Sequence, residues 1–104
     1  MILKKGNFFV VKPAERPLNS GHVVFKLGRK IPELSDEELR ELSEALIQIV
    51  SKIKEVYRPE GYNILLFEDA VEVVPRWCGD ISFNALMGLK TTPQTPRMIY
   101  EALK

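Results

Sequence analysis

The sequence is poor in the residues that carry most metal and nucleophile chemistry. Its 104 residues include one cysteine, Cys78, and one histidine, His22. A single cysteine excludes an internal disulfide framework and a zinc site built from cysteines alone. No apolar run reaches signal-peptide or membrane-span length, since Lys4 and Lys5 interrupt the first one. We therefore expect one domain spanning residues 1–104, cytoplasmic and without a membrane partner.

The composition is otherwise that of a folded globular protein, with 45% hydrophobic and 28% charged residues and a net charge of +1. Residues 1–30 carry seven Lys or Arg against one Glu, whereas residues 31–72 carry four basic against eleven acidic groups. The basic third either attracts phosphate or complements the acidic helix that follows. Nucleic acid is not an expected partner, because aromatic residues are not interleaved with the basic ones. Abundant Lys and Glu with only two Gln are compatible with a thermophilic source.

Hydrophobic and turn patterns predict an antiparallel sheet. Four segments rich in β-branched and aromatic residues, bounded by Pro and Gly, are the expected strands: 8–11, 22–27, 62–67 and 70–75. Only Glu68 and Asp69 separate the last two, which predicts a tight hairpin. Phe8, Phe9, Tyr57 and Phe67 are expected in the core. After Trp77 the chain is expected to be irregular to about Thr92.

Two helices are predicted. The first has about 22 residues and begins after Ser35, an N-cap that forms a capping box with Glu38. Its apolar residues recur on one stripe: Leu39, Leu42, Ala45, Leu46, Ile49, Val50, Ile53 and Val56. Thr95 caps a short C-terminal helix with Pro96 at its first position. The packing residues expected there are Met98, Ile99, Ala102 and Leu103.

Four segments resemble the histidine triad (HIT) superfamily in order and spacing. They are the turn and strand at 19–24, the start of the long helix at 31–39, the strand at 61–64 and the block at 73–83 that begins Val-Val-Pro-Arg-Trp-Cys-Gly-Asp. The last segment is most similar to the branch that contains diadenosine tetraphosphate phosphorylases. The resemblance implies an α+β fold: a HIT-like antiparallel β-sheet of five strands, one long helix packed on it, and two protomers paired as a homodimer.

The histidines that name the family are replaced in this sequence. In the family, the middle of three alternating histidines attacks the α-phosphate of a nucleotide, and a neighbour holds the leaving phosphate. The matching positions here are Glu68, Ala70 and Glu72, which strand alternation places on one face together with Val74, with Val71 and Val73 on the other. A methyl group cannot form a phosphoramidate, and carboxylates repel phosphate. The glycine-rich phosphate loop of the family is also reduced here to a two-residue turn.

The prediction is therefore a non-catalytic HIT-like protein, a homodimeric binding module with weak nucleotide affinity, without catalytic residues or a cofactor. Its ligand-binding candidates are His22, Asn63, Arg76 and Trp77. Three of them, His22, Arg76 and Trp77, have a structural alternative. His22 is interpreted as a structural or interface residue, and Arg76 either holds an anion or pairs with Asp80 to fix the turn between them. Trp77 either covers the core, contacts a second subunit or provides a surface on which a base stacks.

Two other functions stay open. A metal-assisted nucleotide hydrolase would use the carboxylates of Glu68, Glu72 and Asp80, which are suited to Mg²⁺. A small structural subunit of a complex would use none of these side chains. Cys78 is interpreted as an inert thiol, because no histidine is near it in sequence.

Overall fold

The part of the chain that the structure describes contains five strands, which form one antiparallel sheet, and two helices that pack on it. The computed structural model describes residues 1–80 and 94–104. The strands are β1 (Lys4–Lys5), β2 (Phe9–Pro13), β3 (Val23–Leu27), β4 (Gly61–Leu66) and β5 (Ala70–Arg76), in the spatial order β1-β2-β3-β5-β4. The helices are α1 (Asp36–Tyr57) and α2 (Pro96–Leu103), and a 3₁₀ turn (Ile31–Glu33) precedes α1. This arrangement confirms the predicted α+β fold.

Strand alternation gives the sheet a core face and an outer face. Phe9, Val11 and Phe25 point into a hydrophobic core that also contains residues from both helices. Val71 and Val73 point away from the outer face as predicted and join this core, whereas Val74 is also completely buried but lies outside this cluster. The residues between them on β2, β3 and β5 form what we call the outer face: Val10, Lys12, Val24, Lys26, Ala70 and Glu72.

Helix α1 begins where the capping box predicts. The Ser35 hydroxyl accepts the Glu38 N–H at 3.2 Å, and the Glu38 carboxylate accepts the Ser35 N–H at 2.9 Å. The middle of the predicted stripe is buried, but Leu39 and Val56 near its ends are exposed, so their predicted burial is wrong. A 22-residue helix is about 33 Å long, which exceeds both the strand lengths and the width of a five-stranded sheet.

The hairpin between β4 and β5 is as tight as predicted. The Phe67 N–H donates to the Ala70 carbonyl at 2.8 Å, which leaves Glu68 and Asp69 at the centre of the turn. Because β5 begins only at Ala70, Glu68 lies in the turn and not on the outer face, contrary to prediction. Phe67 is also exposed and does not lie in the core as expected, because β4 ends at Leu66 and the chain turns from there.

Helix α2 begins at Pro96 after Thr95, whose hydroxyl accepts the Met98 N–H at 3.2 Å. Its Ile99 and Leu103 are buried as predicted, but Met98 is exposed, so its predicted packing is wrong. The predicted irregular stretch lies outside the described residues from residue 81 onward. Within the described ranges, neither helix has the length and apolar character needed to cross a bilayer.

Candidate functional site

An open pocket with a volume of about 310 Å³ lies on the outer face, where β2, β3 and β5 are neighbours. In the sheet register Lys12 pairs with Val24, Val24 pairs with Glu72, and Lys26 pairs with Ala70. Directly paired residues project from the same face of a sheet, so these side chains share one surface. The residues that line the pocket are Lys12, Pro13, Ala14, Glu15, Arg16, His22, Val24, Lys26 and Glu72.

The base of this pocket contains a paired imidazole and carboxylate. His22 is only 2% exposed, and its Nε2 lies 2.6 Å from Glu72 Oε1. Its Nδ1 accepts the backbone N–H of Leu18 at 3.0 Å. An imidazole nitrogen that accepts a hydrogen bond carries no proton, so the ring proton is on Nε2 and is donated to Glu72. Both ring nitrogens are therefore engaged, and the ring holds the Glu72 carboxylate in a fixed position.

Three cationic side chains surround this pair. Lys12 Nζ lies 3.9 Å from the highly exposed Glu15, a weak surface pair. Arg16 and Lys26 have no carboxylate partner within the described residues. With His22 neutral, three cations against two carboxylates leave the pocket with one net positive charge.

The turn after β5 is fixed by the predicted ion pair between Arg76 and Asp80, with Nη2 and Oδ1 3.1 Å apart. Asp80 also accepts the Trp77 N–H at 2.9 Å and a hydrogen bond from Asn19, whose amide donates to the Pro75 carbonyl at 3.0 Å as well. These contacts tie the turn to the loop that precedes His22.

Two further ligand candidates are engaged with each other. Arg76 Nη1 donates to Asn63 Oδ1 at 2.6 Å, so the guanidinium is shared between Asn63 and Asp80. Trp77 is half-buried beside this turn, and Cys78 is exposed, with its backbone N–H donating to Glu60 at 2.9 Å. Of the four ligand candidates, only His22 lines the outer-face pocket.

The three carboxylates of the hydrolase alternative have different partners. Glu68 Oε1 lies 3.5 Å from Lys30 Nζ, Glu72 is bonded to His22, and Asp80 is bonded to Arg76. Across residues 1–80 and 94–104, no three His, Cys, Asp or Glu side chains are grouped so that they could hold a metal ion.

A glycine turn positions His22. Gly21 has a φ of +79°, and its N–H donates to Gln94 Oε1 at 3.0 Å, which connects this turn to the segment before α2. Gln94 also contacts the Tyr57 hydroxyl at 3.5 Å. Burial raises the pKa of Tyr57, and the Gln94 hydrogen bond partly opposes that change. The Tyr57 side chain is therefore neutral and packs against the turn at Gly21.

Sequence reasoning did not identify the pocket cations. The excess of basic residues in the first third was a signal, and so was the alternation of His22, Val24 and Lys26 along one strand. Neither pattern indicates that β5 lies next to β3, which is what brings Glu72 to His22.

No protein-family model matches the chain. Two curated proteins, the AP-4-A phosphorylases of Mycobacterium tuberculosis strains CDC 1551 and H37Rv, are each 34% identical to it over an alignment of 96 residues, and each match covers 78% of this chain and 49% of the relative. The chain thus spans about half the length of the curated relatives it matches.

Solved structures give the same fold. The chain is similar to a HIT-like protein involved in cell-cycle regulation from Bartonella henselae, with a TM-score of 0.75, 12% identity and coverage of 99% of this chain and 83% of that one. It is also similar to a zinc-bound histidine triad family protein from Mycobacterium smegmatis, with a TM-score of 0.68, 20% identity and coverage of 98% and 82%. The solved structures confirm the predicted HIT-like fold, and the curated match confirms the predicted sequence similarity to diadenosine tetraphosphate phosphorylases.

Proposed function

We propose that this protein is a nucleotide-binding HIT relative that does not catalyse nucleotidyl transfer and that works as a homodimer. The observation that carries the proposal is the outer-face pocket, which has a net positive charge and whose lining residue Lys26 pairs with Ala70, a position that offers no nucleophile. A concave site of this volume is within the range of small-molecule sites. The curated relatives are named for action on diadenosine tetraphosphate, which favours a nucleotide as the ligand.

Two residues support the proposed loss of catalysis. Ala70 ends in a methyl group, which has no lone pair with which to attack phosphorus. His22 does not replace it, because Nδ1 accepts the Leu18 N–H and Nε2 donates to Glu72, so neither nitrogen offers a free lone pair to a ligand. Binding without covalent chemistry is the activity that these groups support.

The unpaired edge of β4 supports the proposed homodimer. Ile64 and Leu66 pair with Val73 and Val71, so they face the core side, yet they are 44% and 70% exposed. Among the described strands, β4 pairs only with β5, and its other edge is open. An open edge beside uncovered apolar side chains favours pairing with a second copy.

Thermal unfolding with nucleotides tests this proposal. AMP, ADP, ATP and diadenosine tetraphosphate, each with and without Mg²⁺, are expected to raise the unfolding midpoint without requiring the metal, because a ligand that binds only the folded state stabilises it. The same incubations are expected to release no products by chromatography and to add no nucleotidyl mass to the protein.

The alternatives predict different results. Products or a covalent nucleotidyl adduct would show that the protein is an enzyme. A shift that requires Mg²⁺, with turnover lost in Glu72→Gln, would support the metal-assisted hydrolase. If no nucleotide raises the unfolding midpoint, the protein would be interpreted as a structural subunit of a complex.

A further inference from the structure

We infer that the outer-face pocket binds its ligand in one orientation, with phosphate at Lys12, Arg16 and Lys26 and a hydroxyl or amino group donating to Glu72. This inference rests on the proposed function and specifies the ligand as a phosphate monoester that also carries hydrogen-bond donors, such as a nucleoside phosphate. It also assigns phosphate binding to β2, β3 and the loop between them, and not to β5.

The charges of the pocket are separated across the sheet. Lys12 and Glu72 stand in one row with Val24 between them, so their backbones are two strand spacings apart, or about 10 Å. Lys26 stands in the next row, opposite Ala70. A phosphate near Glu72 would be repelled, whereas a phosphate above Val24 and toward β2 is within reach of both lysines.

The cations are available for a ligand. Arg16 and Lys26 form no ion pair with any described residue, and among those residues Lys12 pairs only with the solvated Glu15, at 3.9 Å. Guanidinium and ammonium groups hold phosphate by charge-assisted hydrogen bonds. Three side chains of this kind around one concavity can therefore bind a single phosphate group without a metal ion.

Glu72 is prepared to accept a hydrogen bond from the ligand. The His22 N–H engages Oε1 at 2.6 Å, and an ionised carboxylate has further acceptor sites on both oxygens. The Glu72 side chain is 26% exposed and lines the pocket, so those sites are open to a ligand. Because His22 fixes the carboxylate, little conformational entropy is lost when a donor binds there.

Calorimetric titration of the intact chain with AMP and with inorganic phosphate tests the orientation. The wild type is expected to bind AMP more tightly than phosphate. In Glu72→Gln the amide oxygen still accepts from His22, but the negative charge is lost. We expect this change to lower the ratio of AMP affinity to phosphate affinity by about tenfold, because it weakens the donor contact and removes repulsion of phosphate.

Cation variants test the other end of the ligand. Arg16→Met and Lys26→Met are expected to weaken binding of AMP and of phosphate alike, by severalfold each, since both ligands use the same phosphate contacts. Arg40→Met on the exposed side of α1 removes the same charge far from the pocket and is expected to leave both affinities unchanged.

The outcomes separate the two proposals. If the wild type binds no nucleotide, the proposed function fails. If it binds AMP and the affinity ratio is the same in Glu72→Gln, or if Arg40→Met weakens binding as much as Lys26→Met, nucleotide binding stands and the orientation inferred here is wrong.

Discussion

Gly21 lies where both the backbone and the packing exclude a side chain. Its φ is +79°, and an added Cβ would come within 2.9 Å of Tyr57 Cδ2 and 3.1 Å of Pro75 Cγ. Gly21→Ala is therefore expected to lower the free energy of unfolding by about 2–3 kcal/mol, because it adds backbone strain to steric overlap. Urea denaturation followed by circular dichroism measures this loss.

Gly79→Ala is the matched control for Gly21→Ala. Gly79 has a similar φ of +74°, but an added Cβ would meet no atom of the described residues within 4 Å. Only the conformational cost of about 1 kcal/mol is expected. Equal losses in the two variants would show that packing around Gly21 contributes nothing.

Contacts between single residues were predictable from the sequence only where they are local. Arg76 and Asp80 are four residues apart around a glycine turn, so their ion pair could be predicted without knowing the fold. His22 and Glu72 are 50 residues apart, and their contact depends on β5 lying beside β3. Strand alternation predicts the outward direction of both side chains but not the strand order that joins them.

At the scale of elements, the middle of the apolar stripe of α1 packs the helix into the core. Ile53 is completely buried in the core, whereas Val56, three residues later, is exposed. Ile53→Ala is expected to lower the free energy of unfolding by about 2–5 kcal/mol through lost burial and the cavity left behind. Chemical denaturation with a two-state fit measures the difference.

Val56→Ala tests the same stripe at its exposed end. Its cost is expected to be below about 1 kcal/mol, since Val56 is 39% exposed and shortening it leaves no enclosed cavity. If Val56→Ala lowered the free energy of unfolding as much as Ile53→Ala, then Val56 would be buried in solution and not exposed.

Elements with strong local signals were predicted, and those without were missed. The capping box of α1 and the two-residue turn before β5 are encoded in a few adjacent side chains. Strand β1 was not predicted because Lys4 and Lys5 have no apolar alternation, and only their pairing with Val10 and Val11 makes them a strand. Periodicity also cannot specify how much of a helix the sheet covers.

At the scale of the whole molecule, strand order assembles the pocket. The hairpin of β4 and β5 inserts β5 next to β3, which places Ala70 and Glu72 beside cations from the first third of the chain. The basic excess of residues 1–30 thus serves partly to line the pocket, an interpretation that charge counting alone left open against pairing with the acidic helix.

The open edge of β4 leads to a prediction about assembly. Leu66 is 70% exposed although it faces the core side, so a second copy would bury it. Leu66→Lys is expected to shift the protein from dimer to monomer in analytical ultracentrifugation, because a charge buried in an apolar contact without a partner opposes association. Met98→Lys on α2 makes the same change at another exposed apolar residue and is expected to leave the dimer intact. A wild type that sediments as a monomer at every concentration would contradict the homodimer.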